Sequence, residues 1–273
     1  MNNSKNSTTL KVNNKASLIA AALMIAATLL GFCSSSQANP PGLVSWWQAE
    51  GNTLDTEGEN NGTAQGTVNY APGAFGQGFS LEGFSDPGHI DVASPTLNAY
   101  DSAFTIAGWF VIDNTSGQPS VLDFRDGSNS TGFTLSQNAS GQMDFFIFKD
   151  ADLGGFTLLQ STGWALDTPY FIAATFDGNS MTIYRDGSPV ATNFDAVADT
   201  VRNVTNPMLQ IGRNVVNGSL WDGQIDEVQF YDRALTQPEV ASLLVPEPAT
   251  TSLMLLAVVS LAGIARRRYR NKA

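Results

Sequence analysis

A single cysteine, a single histidine and a middle almost without basic side chains bound what this chain can do. Cys33 lies upstream of a small-x-small site, Ser36-Gln37-Ala38, so a chain cut after Ala38 carries no thiol. Disulfides, thiolate-bound metals and cysteine nucleophiles are then excluded. Leu30 stands three before Cys33, as lipidation wants, but Phe32 directly before it is too large. A Ser-His-Asp triad would have to use His89. That residue sits in Asp86-Pro87-Gly88-His89-Ile90, a turn leading into a strand, and reads as structural. No nucleophile elbow and no phosphate-binding glycine loop occurs. Between residues 39 and 245 there are 6 Lys and Arg against 24 Asp and Glu, a net charge of −18, where the full chain has −11. A domain this acidic is repelled by nucleic acid and by anionic membranes, which excludes nucleic-acid function.

The two ends read as export signals. Lys5, Lys11 and Lys15 precede an apolar run over 18–32, followed by the small-residue site ending at Ala38. That order predicts a signal peptide over 1–38. The run is shorter than the roughly 20 residues of a comfortable span, and Asn39-Pro40-Pro41-Gly42 breaks any helix. At the other end Pro246-Glu247-Pro248 precedes an apolar run over 249–265 and then Arg266-Arg267-Arg268-Tyr269-Arg270. The run is long enough to span, and the arginines place its end in the cytoplasm. The 39–245 domain is then expected on the periplasmic side, initially anchored in the inner membrane, in the cell envelope or outside the cell. Residues 246–273 resemble the PEP-CTERM sorting tail of Gram-negative bacteria. The resemblance implies an exosortase-type partner acting near Pro246, Glu247 and Pro248, and an association with exopolysaccharide and biofilm.

The middle reads as one all-β domain of about 207 residues, a length such domains reach without splitting. Runs rich in aromatic and β-branched residues predict strands at 43–47, 104–112, 121–124, 133–135, 143–148, 170–176, 181–185, 209–211 and 224–231. Asp126-Gly127, Asp177-Gly178 and Asp186-Gly187 supply hairpin turns. Many short strands at regular spacing predict a two-sheet antiparallel sandwich. One short helix is predicted late: Thr236 and Glu239 form a capping box, Pro238 fits the first turn, and Val240, Leu243 and Leu244 share a face.

Several segments in order carry a second resemblance. They are Leu43-Val44-Ser45-Trp46-Trp47 with Glu50-Gly51-Asn52 and Asp55, then Phe75-Gly76-Gln77-Gly78-Phe79-Ser80-Leu81, then His89-Ile90-Asp91-Val92. Thr105-Ile106-Ala107-Gly108-Trp109 follows, and last Gln224-Ile225-Asp226-Glu227-Val228 with Tyr231-Asp232-Arg233-Ala234-Leu235. Residues 43–244 so resemble the laminin-G-like, concanavalin A-like jelly rolls of bacterial surface proteins. The resemblance implies a jelly roll, and not one function. It also implies one structural calcium ion, with Glu50, Asp55 and Asp226 as candidate ligands beside loop carbonyls near Asn60-Asn61. The alternative is that these acids are solvated or paired.

Catalysis is not expected. Jelly-roll glucanases align two carboxylates on one strand face, whereas strand alternation sends the adjacent Asp226 and Glu227 to opposite sides. For a bound sugar the exposed-aromatic candidates are Trp164 and Trp221, both next to turns. Trp109 reads as core, and of Trp46 and Trp47 one points in and one out. Three functions stay open: a glycan-binding or adhesive module with extracellular polysaccharide as partner, a structural matrix protein, and a glycoside-active enzyme.

Overall fold

The computed structural model describes residues 39–93, 97, 103–125, 132–148, 156–194 and 208–244. The expected signal peptide and membrane helix, with Ala38, Pro246, Glu247 and Pro248, lie outside the described residues, as does the Asp126-Gly127 turn. Among the described residues no helix is long and apolar enough to cross a membrane.

Among the described residues fifteen strands and one helix follow one another. They are β1 (Leu43–Trp47), β2 (Gly62–Gly66), β3 (Asn69–Pro72), β4 (Gln77–Glu82), β5 (Gly88–Ala93), β6 (Phe104–Ile112), β7 (Ser120–Arg125) and β8 (Gly132–Gln137). Then come β9 (Met143–Phe148), β10 (Phe156–Gln160), β11 (Tyr170–Phe176), β12 (Met181–Arg185), β13 (Ser188–Asn193), β14 (Met208–Ile211) and β15 (Asp222–Tyr231), and one helix, α1 (Gln237–Ser242). They form two antiparallel sheets. Sheet A runs β13-β12-β11-β6-β15-β4-β3, with β1 also on β15; sheet B runs β10-β9-β8-β7-β14-β5-β2. This is the expected two-sheet jelly roll.

The sheets close on one core because alternate residues of each strand point inward. From sheet A come Phe104, Ile106, Phe110 and Phe230; from sheet B come Leu122, Phe124, Phe133 and Phe145. Four of these rings meet across the sandwich: Phe104 lies 4.4 Å from Phe133, which lies 5.2 Å from Phe124 and 5.8 Å from Phe230. The Asp186-Gly187 turn joins β12 to β13 with both residues at positive φ, 50° and 75°, as a tight hairpin requires.

A second apolar cluster lies on the outer face of sheet A, where Ala107, Phe171, Ala173 and Tyr231 are covered by Leu235 and Val240. The helix therefore docks outside the sandwich. Glu239 accepts the backbone N–H of its N-cap Thr236 at 2.8 Å and the Thr236 hydroxyl at 2.8 Å, which fixes the first turn. Arg233 holds the same carboxylate through both of its terminal nitrogens.

Strand β15 departs from regular alternation. Its inward residues are Ile225, Val228 and Phe230, so one spacing is three rather than two. The register against β6 slips between Asp226 and Gln229, and Glu227 has φ +54°. This is a β-bulge, and it places Asp226 and Glu227 between two inward residues. The expected divergence of these two carboxylates is corrected: both belong to the outer face. The bulge also marks a handover on one edge of β15, which pairs with β4 over 222–225 and with β1 over 228–231.

Candidate functional site

The gap left between the ends of β4 and β1 is filled by carboxylates. Glu50 follows β1, and the loop 73–76 precedes β4. Asp226 Oδ2 accepts the Phe75 backbone N–H at 3.1 Å, and Glu50 Oε1 accepts the Gln77 N–H at 3.2 Å. Together they clamp the β3–β4 loop. Gly73 and Gly76 make the approach possible, because a Cβ on either would collide with the Asp226 or Glu50 carboxylate. Glu227 accepts the indole N–H of Trp46, the outward-facing member of the Trp46-Trp47 pair. Trp47 points into the core and donates to the Asn60 carbonyl at 2.8 Å.

The electrostatics of this gap are unusual. Burial pushes Asp226 up to about 6, opposed by backbone N–H groups of Phe75, Ala74 and Glu227 and reinforced by the charge of Glu50. Burial and then the charge of Asp226 push Glu227 up to about 8, opposed by the Trp46 indole. Asp226 is 2% exposed, and its Oδ1 has no partner.

The three residues expected around calcium are not brought together as one donor set. Glu50 and Asp226 are neighbours. Asp55 instead organises the loop between β1 and β2. Its Oδ1 accepts the N–H groups of Trp46, Glu57 and Gly58 at 2.8–3.1 Å, and its Oδ2 accepts that of Asn60 at 3.2 Å. With three N–H donors on Oδ1, that oxygen has no lone pair left for a cation. Among the described residues no three His, Cys, Asp or Glu side chains converge on a metal position.

The tryptophans also fall differently from expectation. Trp221 is 0% exposed, donates to the Val111 carbonyl at 3.1 Å and meets Phe110 edge-on. Although next to a turn, it is packed into the core and presents no face to a ligand. Trp164 is half-buried, packed on the core and edge-on to Tyr170 at 5.5 Å. Trp109, expected in the core, faces outward on β6. Phe110 takes the inward position, and Trp109 packs against Phe75 and Phe171.

Sheet B presents a different outer face. Asp123 and Arg125 point outward on β7, yet are almost wholly buried. Arg125 donates from Nε to Asp123 Oδ1 at 2.6 Å and from Nη2 to Asp123 Oδ2, and reaches Asn214 Oδ1 at 2.9 Å. Asp123 also accepts the Val215 N–H at 3.0 Å. Burial pushes the Asp123 carboxyl up and Arg125 pulls it back. Above the pair, the rings of Phe146 and Phe148 lie nearly parallel, 5.9 Å apart and 13° inclined, with the Arg125 guanidinium 4.9 Å from Phe148. Arg125, Asn214, Phe146 and Phe148, with Gln118, Thr134, Ser136 and Asn217, line a pocket of about 250 Å³, with Asp123 beneath Arg125. The pocket's signal in the sequence is β9, Met143–Phe148, which carries Phe146 and Phe148 beside Asp144 on its outer face, where a one-sided strand would be polar throughout.

The two antiparallel sheets define a jelly-roll class of domain. Residues 84–241 match the family model described as the concanavalin A-like lectin/glucanases superfamily, laminin-G type. The chain belongs to that family. Residues 244–270 match the PEP-CTERM protein-sorting motif, which marks an exported protein anchored to the membrane through its C-terminus and implies an exosortase-type sorting system. Among curated proteins none matches. Among solved structures, domain 4 of AbnA, a GH43 extracellular arabinanase from Geobacillus stearothermophilus in complex with arabinotriose, is similar. Its TM-score is 0.61 at 17% identity, over 74% of this chain and 98% of that one. The binding domain of botulinum neurotoxin DC, in complex with SialylT, has a TM-score of 0.59 at 17% identity, over 75% of this chain and 51% of that one. The binding domain of Paraclostridial Mosquitocidal Protein 1 has 0.57 at 18%, over 74% and 52%. The chain thus spans about half the length of the toxin domains. At these identities the likeness is one of fold.

Proposed function

We propose that the domain is a non-catalytic glycan-binding module, displayed on the periplasmic or outer side of the envelope, and that the sheet B pocket holds the sugar. The observation that carries this reading is the Phe146–Phe148 pair beside the fixed Asp123–Arg125 pair. Sugars are recognised by an aromatic surface together with preset polar groups. Here the acid is matched by its own base, so the pocket suits a neutral polyol. Its volume is below the roughly 300–1,000 Å³ of drug-sized sites, which favours a single ring. The arabinotriose complex of the similar arabinanase domain supports a saccharide ligand.

A glycan array probed with detergent-solubilised full-length protein tests the proposal. Hits that Phe146→Ala weakens at least about tenfold, equivalent to ~1.4 kcal/mol, with an unchanged melting temperature, are expected. An array without hits for the folded protein leaves a structural matrix role in its place.

One observation favours a second reading. The bulge puts Asp226 and Glu227 on one face, and with Glu227 pushed up to about 8 and Asp226 to about 6, one is protonated beside an ionised partner at neutral pH, as in a glycosidase pair. Against it, Asp226 Oδ2 is held by the 73–76 loop and Glu227 by Trp46. Polysaccharide hydrolysis abolished by Glu227→Gln would establish this reading. Calcium is a rival proposal for the same carboxylates, reduced to Glu50 and Asp226. A melting temperature raised by calcium and lowered by EDTA supports it, and an unchanged one removes it.

A further inference from the structure

A second cleft, of about 590 Å³, opens on the outer face of sheet A, lined among others by Phe75, Trp109, Asp113, Asp167, Gln224 and Asp226. Its floor is aromatic: Phe75 meets Trp109 edge-on with ring centres 5.9 Å apart. Asp226 and Trp109 are direct cross-strand partners on β15 and β6. Each has a buried polar atom without a partner, the Asp226 Oδ1 acceptor and the Trp109 Nε1 donor. At the other end Asp113 and Asp167 are hydrogen-bonded carboxyls, and burial followed by the charges of Asp167 and Asp222 raises Asp113. No Lys, Arg or His lines the cleft.

An anion is repelled here at both ends, and a purely apolar ligand would leave the Asp226 oxygen and the Trp109 N–H unmatched. A metal ion wants six to eight oxygens, whereas the loop over Asp226 turns N–H groups toward it. An organic ammonium fits each part. It meets the carboxylates, its body lies against the indole, and a hydroxyl oxygen on that body accepts from Trp109 Nε1.

We propose that this cleft binds an amine-bearing sugar residue, a de-N-acetylated amino sugar within a polysaccharide. The inference rests on the glycan-binding reading, but not on the sheet B pocket. The test is calorimetric titration of detergent-solubilised full-length protein, in EDTA at neutral pH, with glucosamine trisaccharide and with its N-acetylated counterpart. The free amine is expected to bind at least about tenfold tighter than the acetylated form. Trp109→Phe, which keeps the ring and removes the N–H, and Asp226→Asn are expected to weaken it about tenfold. Asp113→Asn, at an exposed position, serves where Asp226→Asn fails to fold. Phe146→Ala protein, lacking the other pocket, still binds the amine. Equal affinity for the two trisaccharides, no binding of the amine, loss of binding in Phe146→Ala, or displacement of the amine by calcium each overturns the proposal. The neutral-glycan array decides the sheet B reading independently.

Discussion

The two sheets share one core and treat charge on their outer faces in opposite ways. On sheet B, the buried Asp123 carries Arg125 two residues along the same strand, so acid and base leave water together. On sheet A, the buried Asp226 and the half-buried Glu227 have no base beside them, only backbone N–H groups and one indole. A matched pair stabilises the empty pocket and leaves it neutral. An unmatched pair keeps a standing demand for a proton or a cation. The difference separates a face whose buried acid is matched by its own base from one whose buried acid is not.

Breaking the match on sheet B has the largest expected effect. Arg125→Met leaves Asp123, 0% exposed, without its partner, and removal of one member of a buried pair costs about 3–5 kcal/mol. Thermal unfolding is expected to shift down by roughly 10 °C. Asp123→Leu combined with Arg125→Met recovers most of the loss, since apolar replacement of a whole pair is often neutral. A small effect of Arg125→Met alone means that water reaches Asp123.

On sheet A the sign reverses. Glu227 has its carboxyl raised from 4.5 to about 8, so the folded state resists its ionisation. The stability associated with the neutral form is whole below about pH 4.5 and is lost as pH rises through about 8. Glu227→Gln keeps an oxygen for the Trp46 indole and has no charge to acquire. In EDTA it is expected to raise the melting temperature by roughly 4–8 °C at pH 9, for about 2 kcal/mol, and by almost nothing at pH 4.5. A gain of equal size at both pH values would show that the unmatched charge is not its source.

These contrasts were only partly legible in the sequence. Strands β1, β6, β9, β11 and β12 could be placed from apolar aromatic runs, because they are central or have a buried face. The four sheet edges, β2, β3, β10 and β13, were not. Gly62–Gly66 reads GTAQG and Ser188–Asn193 reads SPVATN, with little of the pattern that burial imposes. Strand period divided Trp46 and Trp47 between the two faces without saying which turns inward, and it failed at Asp226 and Glu227, because a bulge changes the period at one residue and that residue is a glutamate at positive φ, not a glycine. The two-residue spacing of Asp123 and Arg125 puts them on one face of β7, but their burial comes from the neighbouring strands and the loop carrying Asn214 and Val215, which the sequence does not place there.

The smallest expected effect lies at the rim of sheet A, where charges are also paired but water competes. Arg233 and Glu239 are each about one-third exposed, joined at 2.7 Å. Hydrogen bonds from Arg233, and then from the Thr236 backbone, hold Glu239 down to about 2. Its contribution is present above about pH 4.5 and is lost as pH falls through about 2. Glu239→Gln retains an acceptor for Thr236 and removes the ion pair. Solvent screening limits the loss to about 1 kcal/mol or less, a shift of roughly 1–4 °C at neutral pH, smaller in 1 M salt and vanishing near pH 2. A salt-insensitive loss as large as that of Arg125→Met would instead place this pair out of water, and degree of burial would no longer explain why the two faces differ.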